Sequence, residues 1–422
     1  MRKIYKLSAA LLLCAFLCSC FSKASAPESV SAALESASAA PASGETPIEL
    51  RLVTSEDGVY GLPGAASESG YYNILWNDDG SSNLVYTDFD TARTIYLSGE
   101  VSAYPQTEQD PSWFKDGVSY LFVVEDKLYA VYPGALFNAT SEARPACIYR
   151  MNLDGGNREV LIEFGSGQQL TQSISSDGKS LYAAIQTATP YGQTTNELIS
   201  VELETGRMET LCALPQGEAL VGAFSDKLIT KNYISGNDES IRLSTICLNG
   251  LERQEIFSLP FNTTSGAFHG DSYYYIDHEN SALMRANFAT GENTVVCGNI
   301  PAGPQNMIYI SGIWGNHFVY RLTRFEDEIE KQKLYGIDLA SKEIHENGFT
   351  YSYQGMDHSV NIIACAQDKY LYVQNCADQS KTIYSEDGTA VQVTDSKFVY
   401  ALEDVADFWA NADNQTLIED LT

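Results

Sequence analysis

From residue 48 onward the chain reads as all-β, and more narrowly as a β-propeller of seven four-stranded blades. Short alternating apolar runs rich in Tyr, Val and Ile recur between tight turns, with no sustained helical period. A turn followed by an aromatic or aliphatic strand returns seven times: Ser69-Gly70-Tyr71-Tyr72, Asp126-Lys127-Leu128-Tyr129, Gly178-Lys179-Ser180-Leu181-Tyr182, Asp226-Lys227-Leu228-Ile229, Asp271-Ser272-Tyr273-Tyr274, Asn316-His317-Phe318-Val319-Tyr320 and Asp368-Lys369-Tyr370-Leu371-Tyr372. From Asp126 to Asp368 five intervals give a period of about 48 residues, within the range of propeller blades.

A second hairpin follows each anchored strand. It is seen at Ile148 to Gly156, Leu198 to Gly206, Leu283 to Gly291 and Leu334 to Leu339. Each blade is then a meander whose strands A and B join at the anchor, while C and D join at these turns. Ser396-Lys397-Phe398-Val399-Tyr400 echoes the anchor too soon after Asp368 for a complete eighth blade. The reading adopted makes it an inner strand of blade seven, with Ile48 to Val53 supplying the outer strand that closes the ring. Six or eight blades are the alternatives. The propeller is expected over 48–402, and the tail 403–422 has the makings of a short helix.

The first twenty residues carry an address. Arg2, Lys3 and Lys6 form a basic head, Leu7 to Leu17 a short apolar core, and Leu17-Cys18-Ser19-Cys20 ends it. The core is too short to span a bilayer as a mature helix, and a small residue before a Cys suits a cleave-and-lipidate pathway. This stretch resembles the lipobox of bacterial lipoproteins, which implies a signal peptide over 1–19 and acylation of Cys20. Localisation on the extracytoplasmic face of the cell membrane, held by the lipid anchor, follows from that resemblance. From residue 21 to 47, Ser, Ala and Pro fill 18 of 27 positions, a tract that cannot bury a core and reads as a disordered linker over 20–47. As a coil it would hold the body roughly 30 Å from its anchor.

Two blades carry a further likeness. Ser175-Ser176-Asp177-Gly178 before one strand and Ile148 to Gly155 before another resemble the TolB-type propeller repeat of cell-envelope proteins. The chain also looks like the anchored propeller lipoproteins of Gram-positive bacteria. The resemblance covers roughly residues 50 to 402 and implies a fold but no reaction, because such propellers serve binding and catalysis alike.

In a propeller the AB and CD turns emerge at one end and the BC and DA connections at the other. The AB and CD turns are tight here. The long segments Gly99 to Asp116, Pro133 to Ala146, Thr187 to Thr195, Thr323 to Lys331 and Gly348 to His358 are all BC or DA connections. Insertions gathered at one end of a rigid scaffold are what a binding surface looks like. They hold Tyr104, Trp113, Phe114, Phe137, Tyr191, Phe325, Tyr351 and Tyr353, aromatics able to stack on sugars, peptides or a protein, or else to pack their own loops. Trp314, on an expected inner strand, is placed either on the central channel or in the core.

Charge and cysteine usage narrow the classes. The net charge is −29, and losing residues 1–19 removes three basic groups and no acid, leaving −32. Nucleic acid is disfavoured as a partner, and anionic headgroups are repelled, so membrane contact falls to the acyl anchor. Three of the nine Cys belong to the signal, and the other six show no C-x-x-C spacing, which points to buried thiols rather than zinc or a redox motif, with disulfides as the alternative. The acidic run Glu326-Asp327-Glu328 with Glu330 and the run Asn77-Asp78-Asp79-Gly80 both lack calcium-loop spacing. They read as a solvated charge run and a hairpin turn, and no metal or cofactor is expected.

No nucleophile elbow, zinc-helix motif, phosphate loop or dinucleotide fingerprint is present, and the five His are scattered singly. No catalytic residue is assigned, and the balance tips away from an enzyme. The sequence therefore leads to a membrane-anchored interaction module with a monomeric body, presenting one end to an envelope protein, peptide or glycan. The rival is an extracytoplasmic propeller hydrolase or lyase acting on polysaccharide.

Overall fold

Seven antiparallel sheets succeed one another along the chain in a computed structural model that describes residues 48–419, apart from 56–63, 99–104, 106, 137–143, 189–192, 237–238, 261–265, 303–305, 327–328, 354 and 385–389. The expected signal peptide, Cys20 and linker lie outside the described residues. Strand β1 (Arg51–Thr54) comes first. Blade 1 holds β2 (Ala65–Ala66), β3 (Gly70–Trp76), β4 (Ser82–Asp88), β5 (Arg93–Tyr96) and the short β6 (Trp113–Phe114). Blade 2 runs β7 (Tyr120–Val124), β8 (Lys127–Tyr132), β9 (Cys147–Asn152), β10 (Glu159–Glu163), and blade 3 β11 (Gln168–Ser176), β12 (Ser180–Ala188), β13 (Thr194–Glu202), β14 (Met208–Ala213). Blade 4 is β15 (Ala219–Phe224), β16 (Lys227–Ile234), β17 (Ser240–Cys247), β18 (Arg253–Pro260), and blade 5 is β19 (Ala267–His269), β20 (Ser272–Asp277), β21 (Ala282–Asn287), β22 (Glu292–Cys297).

Blade 6 has β23 (Met307–Trp314), β24 (His317–Glu326), β25 (Ile329–Asp338) and β26 (Ile344–Asn347). A separate hairpin, β27 (Thr350–Tyr353) and β28 (Met356–Ser359), precedes blade 7, which has β29 (Asn361–Ala366), β30 (Lys369–Tyr384), β31 (Ala390–Asp404) and β32 (Thr416–Leu417), with helix α1 (Val405–Ala410) before its last strand. All seven sequence anchors fall at the turn between a blade's first two strands or just inside the second. The period marks blades because each must make the same tight A-to-B reversal.

The first strands form the inner ring: β11 touches β15, β15 touches β19, β19 touches β23, β23 touches β29, and β29 returns to β2 beside β7. Seven hydrophobic clusters fill the seams between neighbouring blades, one to a seam. A blade is apolar on both faces, so closing the ring covers what a lone sheet would leave wet. The protein is a seven-bladed β-propeller.

Ring closure differs from the sequence expectation. Residues 51–54 do not form an outer strand of blade 7. They form β1, which lies antiparallel on the inner edge of β11, with Arg51 opposite Ser176 and Thr54 opposite Ile174. The inner edge of a first strand carries unpaired backbone groups toward the axis, and β1 satisfies one such edge. Ser396 to Tyr400 are not an inner strand either; they lie within β31, the third strand of blade 7, with Tyr400 opposite Val373.

The outer strand is β32, drawn from the tail, so the propeller extends past residue 402. Just beyond it, Glu419 N–H donates to the carbonyl of Ala92 (2.9 Å), its carbonyl accepts from Thr94 N–H (3.3 Å), and its carboxylate pairs with Arg93 (2.8 Å). The last blade is thus clasped to the outer strand of the first, above a seam packed by Tyr71, Phe89, Ile363 and Leu371.

Helix α1 wedges between blades 6 and 7. Phe408 and Trp409 are buried there, the Trp409 ring 5.3 Å from His317 and 6.0 Å from His345. Gly336 in β25 makes room for it, since a Cβ at that position would lie 2.3 Å from the indole. Asn411 ends the helix in the left-handed conformation, accepting from Gly348 N–H (2.6 Å) and donating to the carbonyl of Glu346 (3.0 Å).

Candidate functional site

The two ends of the propeller are built differently. At the AB/CD end the A-to-B and C-to-D reversals are short in every blade but the last, whose C-to-D connection carries α1. The chain also enters here. Leu50 N–H donates to the carbonyl of Ser225 in the A-to-B turn of blade 4 (2.7 Å), and Arg51 pairs with Glu125 in that of blade 2 (3.3 Å). Leu50 is buried among Leu220, Leu228 and Ile246. From that end β1 runs along the axis toward the BC/DA end, alongside β7, β11 and β15.

What β1 leaves of the central channel is a cavity of about 240 Å³ lined by Val53, Thr54, Ser55, Gly64, Ala65, Ala66, Tyr71, Val123, Gln172, Trp314 and Ile363. Trp314 therefore lines the axis. Among the described residues that line it there is no Asp, Glu, Lys, Arg or His.

The BC/DA end carries the insertions, and the structure sorts the eight aromatics. Phe114 is buried in the seam between blades 1 and 2, edge-on to Tyr149 at 5.1 Å, with the Arg158 guanidinium 4.5 Å from its ring. It is a core residue rather than a presented one. Trp113 is half-buried, its Nε1 donating to Ser81 Oγ (3.2 Å). These two make β6, which pairs with Ser82 and Asn83 and continues the outer edge of blade 1. Tyr104, Phe137 and Tyr191 lie outside the described residues. Phe325 lies in β24 opposite Glu330.

The described residues of 323–331 therefore form no irregular loop: β24 and β25 stay paired as far as Glu326 and Ile329. Apart from this hairpin's tip, the described part of the 348–358 insertion is also largely strand, as β27 and β28. Among the described residues, the 323–331 segment lengthens a blade hairpin and the 348–358 segment adds one, which keeps backbone groups bonded where no core covers them.

Tyr351 and Tyr353 do come together. Both lie in β27, and Tyr351 packs at 5.7 Å from His358 and 6.3 Å from Phe398, while Tyr353 packs at 5.8 Å and 5.9 Å from the same two rings. Burial pushes the Tyr351 hydroxyl above the usual tyrosine range, against the opposing pull of Arg321, whose Nε donates to Ser359 Oγ (2.8 Å). Phe398 and Met356 remain exposed at the margin of this cluster. The sequence reading missed His358, Met356 and Phe398 as parts of one patch. The available signal was the apolar alternation through Phe398 and Tyr400, which was assigned to an inner strand.

Among the described residues no group of three or more His, Cys, Asp or Glu is placed to hold a metal. Asp79 sits in the turn between β3 and β4, accepting from Ser81 N–H (2.9 Å) and Ser81 Oγ–H (2.6 Å), bonds that hold its carboxyl below the usual range. No disulfide joins the six Cys of the body, and against the expectation of buried thiols only Cys147 is buried outright while the other five are partly exposed; burial raises Cys365 to about 11, so it stays protonated and unreactive at neutral pH.

The class these features define is a closed propeller with a threaded axis and a hairpin-bearing end. No family model matches the chain, and no curated protein matches it. Among solved structures, an acylaminoacyl peptidase bound to a Z-Gly-Gly-Phe chloromethyl ketone shares 10% identity over 88% of this chain and 52% of its own, at a TM-score of 0.49. The β-propeller domain of the Trilobed protease from Pyrococcus furiosus shares 11% over 88% of this chain and 98% of that one, at 0.45. TolB from Acinetobacter baumannii shares 10% over 79% and 76%, at 0.36. The chain spans about half the length of the acylaminoacyl peptidase, and none of these likenesses bears on activity.

Proposed function

We propose that this protein is a lipid-anchored, extracytoplasmic binding module whose BC/DA end holds a protein, peptide or glycan. One observation carries the reading: the chain enters the propeller at the AB/CD end, tied to the turns of blades 2 and 4 through Arg51 and Leu50, whereas the lengthened hairpins stand at the other end. Because the described chain enters at the AB/CD end, an anchor upstream of residue 48 is joined to the body at the end away from the hairpins. Tyr351, Tyr353, Phe398 and Met356 supply an aromatic and apolar margin there, the side-chain types that dominate recognition surfaces.

Two experiments test this. Mass spectrometry of the membrane-extracted chain is expected to find acylation at Cys20 and none in Cys20→Ala; an unmodified mature protein overturns the anchoring. For the binding end, the body is used as bait on envelope extract and on glycan and peptide arrays, beside a version whose 350–359 hairpin is replaced by a Gly-Ser turn. A ligand lost on that replacement supports the reading. Blank arrays with no recovered partner, or turnover of a polysaccharide by the body, overturn it.

A further inference from the structure

The longest departure from a regular blade is the β30–β31 hairpin. The first strand of blade 7 stops accompanying it at Asn361, opposite Val373, yet pairing continues from Asn375 with Val399 out to Tyr384 with Ala390. Those ten pairs carry the ribbon roughly 30 Å beyond the blade at the usual strand rise. Among the described residues, the outer edge of β31 is paired only by β32, at Ala401 and Leu402, with one further bond from Ile418 N–H to the Tyr400 carbonyl (2.9 Å).

That bond sets the phase of the edge. The Tyr400 carbonyl faces outward, and in an antiparallel strand the direction of the backbone groups alternates residue by residue. The N–H and C=O groups of Phe398, Ser396, Thr394 and Gln392 therefore face outward too, continuing the line that β32 occupies lower down.

We propose that this edge is a strand-addition site for an extended, basic peptide segment of a partner. The row of outward backbone groups recognises extended backbone and little else. The molecule uses the same chemistry twice within itself, adding β1 to β11 and β32 to β31. The formal charge of −29 over the whole chain draws a cationic segment toward the body and repels a second copy of this chain, while the edge strand itself carries one acid and one base between residues 390 and 402, Asp395 and Lys397. Side-chain selectivity comes at Phe398, 38% exposed beside Tyr351 and Tyr353, with Met356 46% exposed on the facing hairpin. A partner residue opposite Phe398 lies within cross-strand contact, so an apolar or aromatic one is favoured there. The inference rests on the BC/DA end being the binding end and names the class of its partner.

The test uses the full chain and a short synthetic peptide of alternating Lys and Val with one central Phe, beside a fully N-methylated copy that keeps the charge and side chains but has no backbone donors. Thr394→Pro and Ser396→Pro place the ring at outward positions, where no bond to β30 is lost, so folding is retained. The parent peptide is expected to bind and to slow amide exchange across residues 392–398. Either proline variant weakens it roughly ten-fold at an unchanged melting temperature, as does N-methylation. Equal binding of both peptides, or of the parent peptide to folded proline variants, reduces the effect to charge attraction and overturns the edge site while leaving the wider binding reading intact. Concentration-dependent self-association abolished by the same prolines also overturns it, in favour of a second copy.

Discussion

The AB/CD end and the BC/DA end of this propeller obey different rules. At the first, chain reversals are short and several demand a left-handed backbone, which Gly178, Gly270 and Gly315 supply and which Glu125 and Ser225 adopt without being glycine. That end also receives Leu50, Arg51 and α1, all packed or bonded into the seams. At the second, hairpins lengthen beyond the blades and their aromatics pack on one another.

Substitutions at the two ends should separate these roles. Trp409→Ala is expected to cost about 3–5 kcal/mol, because it empties a buried indole from the blade 6–7 seam; denaturant unfolding measures it, and a loss under about 1 kcal/mol would mean that α1 does not hold that seam. Leu50→Ala should cost about 2–4 kcal/mol for the same reason at the entry of the thread. An unchanged midpoint there would argue that β1 is not part of the stable fold.

A pH effect comes next. Burial holds His317 below the usual histidine range, outweighing the pull of Asp338 at 3.8 Å, and His345 adds to the depression. Its neutral form is therefore the folded form. The corresponding stability is complete above about pH 6.5 and is lost as the pH falls through that value toward the lower folded pKa. Melting curves from pH 7.5 to 5.5 should fall more steeply for the wild type than for His317→Gln; parallel curves would remove the histidine from the account.

Smaller effects complete the contrast. Ser225→Gly should raise stability by about 1 kcal/mol, since it relieves a left-handed backbone (φ 52°) at a turn whose carbonyl, not side chain, meets Leu50. Tyr353→Ala, half-exposed at the other end, should change stability by under about 1 kcal/mol while weakening ligand capture in the bait assay. A large stability loss there would make the aromatic patch a structural support.

Much of this was legible in the residues. The seven anchors located seven A-to-B reversals, because a tight turn constrains its own few residues whatever surrounds it. The long segments fell at one end because blade periodicity gives each connection its end. Less visible was what those segments would become. Phe114 entered a seam, Tyr351 and Tyr353 joined His358 and Phe398, and residues 323–331 stayed laddered, outcomes settled by neighbours distant in the chain. Likewise Ser396 to Tyr400 looked like an anchor because alternation marks any half-buried strand, whichever place it takes in the blade.

The amino-acid order by itself determined the blade, its period, its turns and its acidity, since these follow from local conformational preference and composition. Only the closed ring decided that residues 51–54 thread the axis against β11, that the tail clasps blade 7 to blade 1, and that among the described residues β32 pairs with β31 only at Ala401 and Leu402. An unpaired backbone edge accepts strands of many sequences, and which one it receives depends on where the remaining chain is brought when the seams pack.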